Sequence, residues 1–315
     1  MNKNKDRLYI NQSLIKAFFY KGEKRDYCHR YVKEQCIDKS VSKESLSMMC
    51  GNYFETQCLG SSIGGKMTED LPRKKLTEKQ KANGQKLGNK TIDHIRIDEQ
   101  VMVFNQRKTE FQISVQKNVN TQIEIKKLWS QNDGIVLKGE LDMFPTSIAL
   151  PQRGLRLCTI DLKLTQTFTN YGEYCWATPA NLDPIQGYMY SELVRDIDLA
   201  FNHEENPDSR LFTVYTETVQ RILSKQDPLF FFWIFTYKKN PENKFVEVKY
   251  DILKQKELYE SVRKTVEEIN TNERRGWDRV QPNIENCRQC AILDCASRVA
   301  FKANEQTTIE NFETI

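Results

Sequence analysis

Leu14, Ile15, Phe18 and Phe19 recur at helical spacing, and residues 48–59 repeat that rhythm, so the first sixty residues predict helix. From 92 to 144 the runs shorten and alternate: 101–104, 111–115, 123–125 and 135–142, which predict strands. A loop holding Pro145 and Gly154 then feeds an apolar strand at 155–164. Beyond Pro184, residues 185–199 return to helical spacing. Strands are predicted at 229–237 and 245–250, and an amphipathic helix at 252–269. No internal repeat interrupts this order. It predicts an α/β or α+β sheet domain carrying its own insertions. The chain reads as one domain over 1–315, with a helical part at 1–60, a lysine-rich flap at 66–90, a sheet core at 92–250 and a C-terminal helix and cysteine segment at 251–315.

Composition narrows this picture. With 39% hydrophobic and 29% charged residues, the 315-residue chain is globular in character. Its longest apolar run, 229–235, is far short of the roughly 20 residues that span a bilayer. The first residues, Met-Asn-Lys-Asn-Lys-Asp, lead into no apolar signal region, so a location in the cytoplasm of a bacterial or phage-infected cell is expected. The net charge of +4 is modest, but between Lys66 and Lys90 eight Lys/Arg face three acids. That stretch reads either as a solvated flexible loop or as a mobile basic flap that neutralises phosphates.

The candidate chemistry lies among the acids. Hydrolysis of a phosphodiester needs carboxylates that hold a divalent cation, with a cation near the attacking water. Strand side chains alternate, so an acid and a lysine two positions apart share a face. Asp161-Leu162-Lys163 does this at the end of an apolar strand. Asp142, closing Gly139-Glu140-Leu141-Asp142, lies near it if the two strands pair as a hairpin. The acid-x-Lys pattern occurs three more times, at Glu124/Lys126, Glu242/Lys244 and Glu247/Lys249. The Asp161 copy differs in having both an upstream Gly-x-x-Asp and a downstream Gln186-x3-Tyr190 at helical i, i+4 spacing. Glu247/Lys249, followed by Gln255-x3-Tyr259 but preceded by no such strand, serves as an internal control.

Gly139-x-x-Asp142, Asp161-x-Lys163 and Gln186-x3-Tyr190, in this order, resemble the RecB-type branch of the PD-(D/E)XK nucleases. The resemblance implies a mixed central sheet flanked by helices. It also implies that Asp142, Asp161, the Leu162 carbonyl and Glu55 of Gly51-Asn-Tyr-Phe-Glu55 hold Mg²⁺ or Mn²⁺. Lys163 would orient or activate the water, while Gln186 and Tyr190 would contact DNA or brace the site. The implied activity is exonucleolytic hydrolysis of linear DNA, on single- or double-stranded ends. A helicase, recombination or CRISPR-type partner protein and a homo-oligomer are compatible with it.

Nine cysteines without an export signal argue against a disulfide framework. Cys287, Cys290 and Cys295 supply three thiolates, and a tetrahedral site takes four; Cys28 or Cys36 could be the fourth. One N-terminal and three C-terminal cysteines resemble the iron–sulfur members of the same branch, in which a [4Fe–4S] cluster joins the chain ends. The final x4 spacing departs from the usual x5, and zinc is the rival metal. Such a site would be structural. No Ser-His-Asp set, Gly-rich phosphate loop or Walker lysine motif is present, so ATP-driven helicase activity within this chain is not expected. The alternative function is a catalytically inactive, cluster- or zinc-bearing DNA-binding or assembly subunit.

Overall fold

The computed structural model describes residues 7–277 except 21–22, 25–27, 40–45, 61–67, 69, 130–131, 167–183, 196–209, 212–228 and 239–240. The chain divides into two compact units, one of residues 1–11 and 45–258, the other of residues 12–44 and 259–315.

The larger unit is built on a mixed sheet. Among the described residues its strands are β1 (Leu8–Ile10), β4 (Thr121–Trp129), β5 (Asn132–Leu150), β6 (Gly154–Thr165), β7 (Phe230–Thr236) and β8 (Asn243–Val248). Their order is β1-β5-β6-β7-β8, with β4 paired to β5. β1 runs parallel to β5 and β6 parallel to β7, while the other pairings are antiparallel. All seven residues of β7 are buried, as expected of a strand covered on both faces. Phe231, Trp233 and Phe235 join Ile160 and Leu162 in a core under α3 (Leu46–Leu59) and α5 (Ile92–Glu110). Trp233 stacks on Phe245 at 4.7 Å and tilts against Phe104 at 5.0 Å. Each such buried side chain contributes roughly 1.5–3 kcal/mol. The opposite face of the sheet carries α6 (Ile185–Val194), all ten residues of which are buried.

Three sequence readings are corrected here. Residues 101–104 are helical, not extended: Thr91 caps α5 by accepting the His94 amide, and His94, Ile97, Gln100 and Phe104 form its buried stripe. The apparent alternation at 101–104 is one turn of that stripe. Residues 111–115 form no strand, since Gln112 adopts φ +52 and the Ile113 amide returns to the Lys108 carbonyl. The predicted loop at 145–154 is mostly strand. β5 continues through Pro145, because the register shifts between Met143 and Thr146 and a bulge admits a residue with no N–H. Asn120 secures the bulge by donating from Nδ2 to the Pro145 carbonyl at 2.8 Å.

The 66–90 stretch also differs from a featureless flap. It contains the short helix α4 (Glu78–Ala82), opened by a capping box in which Thr77 and Gln80 exchange hydrogen bonds. The helix predicted over 185–199 is α6 up to Val194, and the C-terminal helix extends to Arg275 as α7 (Ile252–Arg275).

The smaller unit, as described, holds α1 (Gln12–Phe18), the two-residue strands β2 (Phe19–Tyr20) and β3 (Glu23–Lys24), α2 (His29–Val32) and a π-helical turn at Lys33–Ile37. α7 begins in the larger unit, and its residues from 259 onward belong to the smaller one.

Candidate active site

β5 and β6 are the antiparallel pair that the Asp142–Asp161 reading requires. Their ladder starts at Met143↔Ile160 and continues to Leu150↔Gly154. Up to Met143, β5 pairs with β4 from Trp129↔Asn132 to Thr121↔Met143. Where the two strands part, the Leu162 amide donates to Asp142 Oδ2 at 2.7 Å, so a carboxylate replaces a ladder carbonyl as acceptor.

Asp161 follows Ile160 on the face turned to α6 and is 1% exposed. Gln186 Nε2 donates to its Oδ1 at 2.6 Å. Lys163, two residues on and on the same face, ion-pairs with Oδ2 while its own side chain stays 25% exposed. Glu55 stands partly buried on α3 within the field of Lys163, Asp161 and Glu140.

The acids press on one another. Burial, then repulsion from Asp161 and Glu140, pushes Glu55 up to about 7, against the opposing pull of Lys163. Asp142 is held well above the usual carboxylate range, first by burial and then by Asp161 and Glu55. Burial draws Lys163 down, but Asp161, Asp142 and Glu55 together outweigh it and hold the ammonium above its ordinary range. Tyr190 is raised by burial and by Asp161 and Asp142.

Gln186 and Tyr190 occupy one face of α6, and the glycine of Gly-x-x-Asp explains how that helix approaches. A Cβ on Gly139 would stand 2.7 Å from both Tyr190 Cε1 and Leu193 Cδ1. On the far side, a Cβ on Gly187 would stand 2.8 Å from Val248 Cγ1. Two glycines let the helix settle on the sheet and bring Gln186 to Asp161. Sequence reading missed the anchor behind α6. Glu192, 4% exposed, accepts from Tyr250 Oη at 2.7 Å and from Gln255 Nε2 at 3.1 Å. Lys127 Nζ meets Glu192 Oε1 at 3.3 Å and donates to the Glu192 and Arg195 carbonyls at 2.9 and 2.6 Å. A glutamate inside an otherwise uncharged helix, and a lysine at an inward position of β4, were the available signals.

The remaining acid-x-Lys copies lie at the surface. Glu124, Glu242 and Glu247 have side chains 28%, 53% and 23% exposed, against 2% for Asp161. Glu247 is bound by Arg153 across the sheet edge, and Gln255 serves Glu192.

As donors, two or three carboxylates beside a lysine suit a hard divalent cation, and their mutual repulsion is what such a cation relieves. Among the described residues, however, no three His, Cys, Asp or Glu side chains gather at metal-ligand spacing. Asp161 is engaged by Gln186 and Lys163, and Asp142 by the Leu162 amide. Leu162, expected to act through its carbonyl, contributes its N–H here.

Of the cysteine set, Cys287, Cys290 and Cys295 lie outside the described residues. Cys28 is partly buried at the start of α2, its carbonyl accepting the Val32 amide at 3.0 Å. Burial pushes the Cys36 thiol up. Cys58 and Cys158 are core residues whose thiols burial also raises.

No family model matches this chain, and no curated protein matches it. Among solved structures it is similar to the crystal structure of a protein from Eubacterium rectale, named provisionally as an exonuclease. The two chains are 15% identical, the match covers 93% of this chain and 87% of that one, and the TM-score is 0.48.

Proposed function

We propose that this chain is a metal-dependent nuclease that hydrolyses phosphodiester bonds of linear DNA, removing nucleotides from single- or double-stranded ends. The observation that carries the reading is the buried Asp161. It is bonded by Gln186 and paired with Lys163, beside Asp142 and Glu55, in the order that resembles the RecB-type nucleases. Asp161, Asp142 and Glu55 would hold Mg²⁺ or Mn²⁺, which when bound lowers the pKa of water and offsets charge developing on the phosphate.

The protein's own groups divide the remaining work. Three carboxylates keep Lys163 protonated, so it acts as a donor: it orients the attacking water and faces the phosphoryl oxygens, and does not accept the water's proton. Glu55, raised to about 7 in the metal-free protein, is the carboxylate whose proton a bound cation would displace near neutral pH. Gln186 fixes the Asp161 carboxylate. Tyr190 stays neutral and seats the helix over Gly139.

A second reading is an inactive DNA-binding subunit, in which Asp161 stays engaged by Gln186 and Lys163 and holds no metal. One assay separates the two. End-labelled single- and double-stranded DNA should be degraded with Mg²⁺ or Mn²⁺ and left intact in EDTA. Asp161→Ala and Lys163→Ala should each slow cleavage on the order of a thousandfold while keeping the fold, since a metal-site group is worth several kcal/mol of barrier. Glu247→Ala should be unaffected. Near-wild-type turnover in both site variants overturns the assignment.

A further inference from the structure

The lysine-rich segment 70–90 is a closed structure. The Lys74 amide donates to the Asn89 carbonyl at 3.0 Å, and Gln80 Nε2 donates to Asn89 Oδ1 at 3.1 Å. Gly88 makes this closure possible, because a Cβ there would fall 1.7 Å from the Lys74 carbonyl oxygen.

The closed loop is tied to α3 and α5 by a polar relay. Arg73 Nε donates to Asp70 Oδ2 at 2.7 Å, and Asp70 Oδ1 lies 3.4 Å from Nε2 of the fully buried His94. That ring nitrogen is 3.3 Å from Tyr53 Oη, which donates to Asp98 Oδ1 at 2.7 Å; Asp98 also pairs with Lys90. Burial and nearby Lys90 hold His94 below the usual imidazole range, so at neutral pH the relay joins through a neutral ring.

Between the loop and α5 lies a cavity of about 830 Å³. Arg73, Lys74, Lys86 and Lys90 line it together with Leu87 and Ile95. Arg73 and Lys90 are balanced by Asp70 and Asp98, whereas Lys74 and Lys86 are exposed and have no ion pair among the described residues. The cavity therefore carries two uncompensated positive charges. Leu87 is 59% and Ile95 42% exposed, so it also offers aliphatic surface. The pocket opens widely to solvent, and its volume falls within the range of a small-molecule pocket, roughly 300–1,000 Å³.

We infer that this pocket seats one unpaired nucleotide of a DNA strand, its phosphate between Lys74 and Lys86 and its base against Leu87 and Ile95. An unpaired nucleotide presents an anion and an apolar face side by side, which is the combination the pocket offers. The inference rests on the reading of DNA as substrate.

The test is binding by the full-length chain in EDTA. Fluorescence anisotropy compares a labelled oligothymidylate with a blunt duplex of equal length. Lys74→Glu/Lys86→Glu should weaken single-strand binding at least tenfold. It should also flatten the slope of log affinity against log salt by about 0.7, the value for one single-strand phosphate no longer neutralised. A charge-matched control, Lys79→Glu/Lys256→Glu, should change affinity less than threefold. Gly88→Ala, which leaves every charge in place, should weaken single-strand binding if the pocket's shape matters. Circular dichroism and melting confirm that each variant folds, and the surface lysine pair decides if Gly88→Ala does not.

Equal losses from the two charge reversals would overturn the inference in favour of general attraction. So would duplex bound as tightly as single strand, or no binding by the wild-type chain. Single-strand binding lost only in the pocket variants supports it, even if the wild-type chain cleaves nothing. In that case the proposed function falls and the pocket stands. Cleavage abolished by Asp161→Ala but untouched by the pocket variants in both binding and rate gives the reverse.

Discussion

Gln186 Nε2 lies 2.6 Å from Asp161 Oδ1, with both side chains buried. A hydrogen bond to an ionised acceptor in such surroundings is roughly twice as strong as a neutral one. It leaves Asp161 with one oxygen on Gln186 and the other on Lys163, so the carboxylate plane is set from two directions. A positioning residue acts on rate through geometry, and small losses of alignment are costly.

Gln186→Ala should lower kcat on the order of 10- to 100-fold with KM little changed, since the amide touches Asp161. Gln186→Glu should be worse near neutral pH, because a second buried carboxylate against the first cannot ionise freely. Its pH–rate profile should be displaced from that of Gln186→Ala. An unchanged kcat in Gln186→Ala would refute the positioning role.

Gly139→Ala should destabilise by about 1–2 kcal/mol, a balance between overpacking at roughly 1–3 and a small gain from the stiffer unfolded chain. The Tyr190 ring and Leu193 methyl at 2.7 Å have to move, and α6 with them. Gly51, in the companion Gly-x-x-x-Glu55 motif, has no atom within 4 Å of its added Cβ and lies inside α3. Gly51→Ala should therefore be neutral or stabilising, by up to about 1 kcal/mol. Thermal melts of the two variants read the contrast, and equal shifts would contradict it.

Much of this arrangement was legible in the chain. Phe230–Thr236 announces a strand buried on both faces, and Asp161 with Lys163 announces a shared face, because both depend on side chains one or two positions apart. The residues 101–104 misled for the same reason: four positions cannot separate a period of 2 from one of 3.6, and the deciding cap lies ten residues earlier at Thr91. Pro145 looked like a loop residue because the bulge that tolerates it is a property of two strands together. Gly139 was legible as part of a motif but not as a clearance for Tyr190, a contact across 51 positions. Glu192 and Lys127 each stood out in sequence, but their pairing did not, because 65 positions separate them.

The cysteine reading gives its own test. Protein prepared anaerobically should carry about four irons per chain if Cys28, Cys287, Cys290 and Cys295 ligate a [4Fe–4S] cluster, or one zinc if they form a knuckle. Cys28→Ala should lose the metal and stability together. Cys158→Ala should keep the metal, because that thiol is buried in the core beside Ile160. Absence of both metals from the anaerobic wild-type preparation would leave the four as ordinary thiols.

The raised carboxylates set the pH behaviour. Glu55 moves from an ordinary 4.5 to about 7 on folding, and Asp142 moves in the same direction. A group whose folded pKa is raised binds its proton more tightly when folded. Its contribution to stability is whole below the ordinary value and is lost as pH rises through the folded one. The metal-free protein should therefore lose stability between about pH 4.5 and 7 through Glu55. Glu55→Gln carries no such titration, so its Tm should fall less over the same window, by several degrees. Divalent cation added at pH 8 should raise Tm in the wild type and raise it less in Glu55→Gln, because binding to the folded state alone stabilises by mass action. A bound cation favours the ionised carboxylate, so saturating Mg²⁺ should move this Glu55 transition below about pH 7. Lys163, held above its ordinary range by the same carboxylates, should cause no loss of activity up to pH ~9. Superimposable Tm–pH curves for wild type and Glu55→Gln would show that Glu55 does not belong to the coupled cluster, whatever the cleavage assay gives.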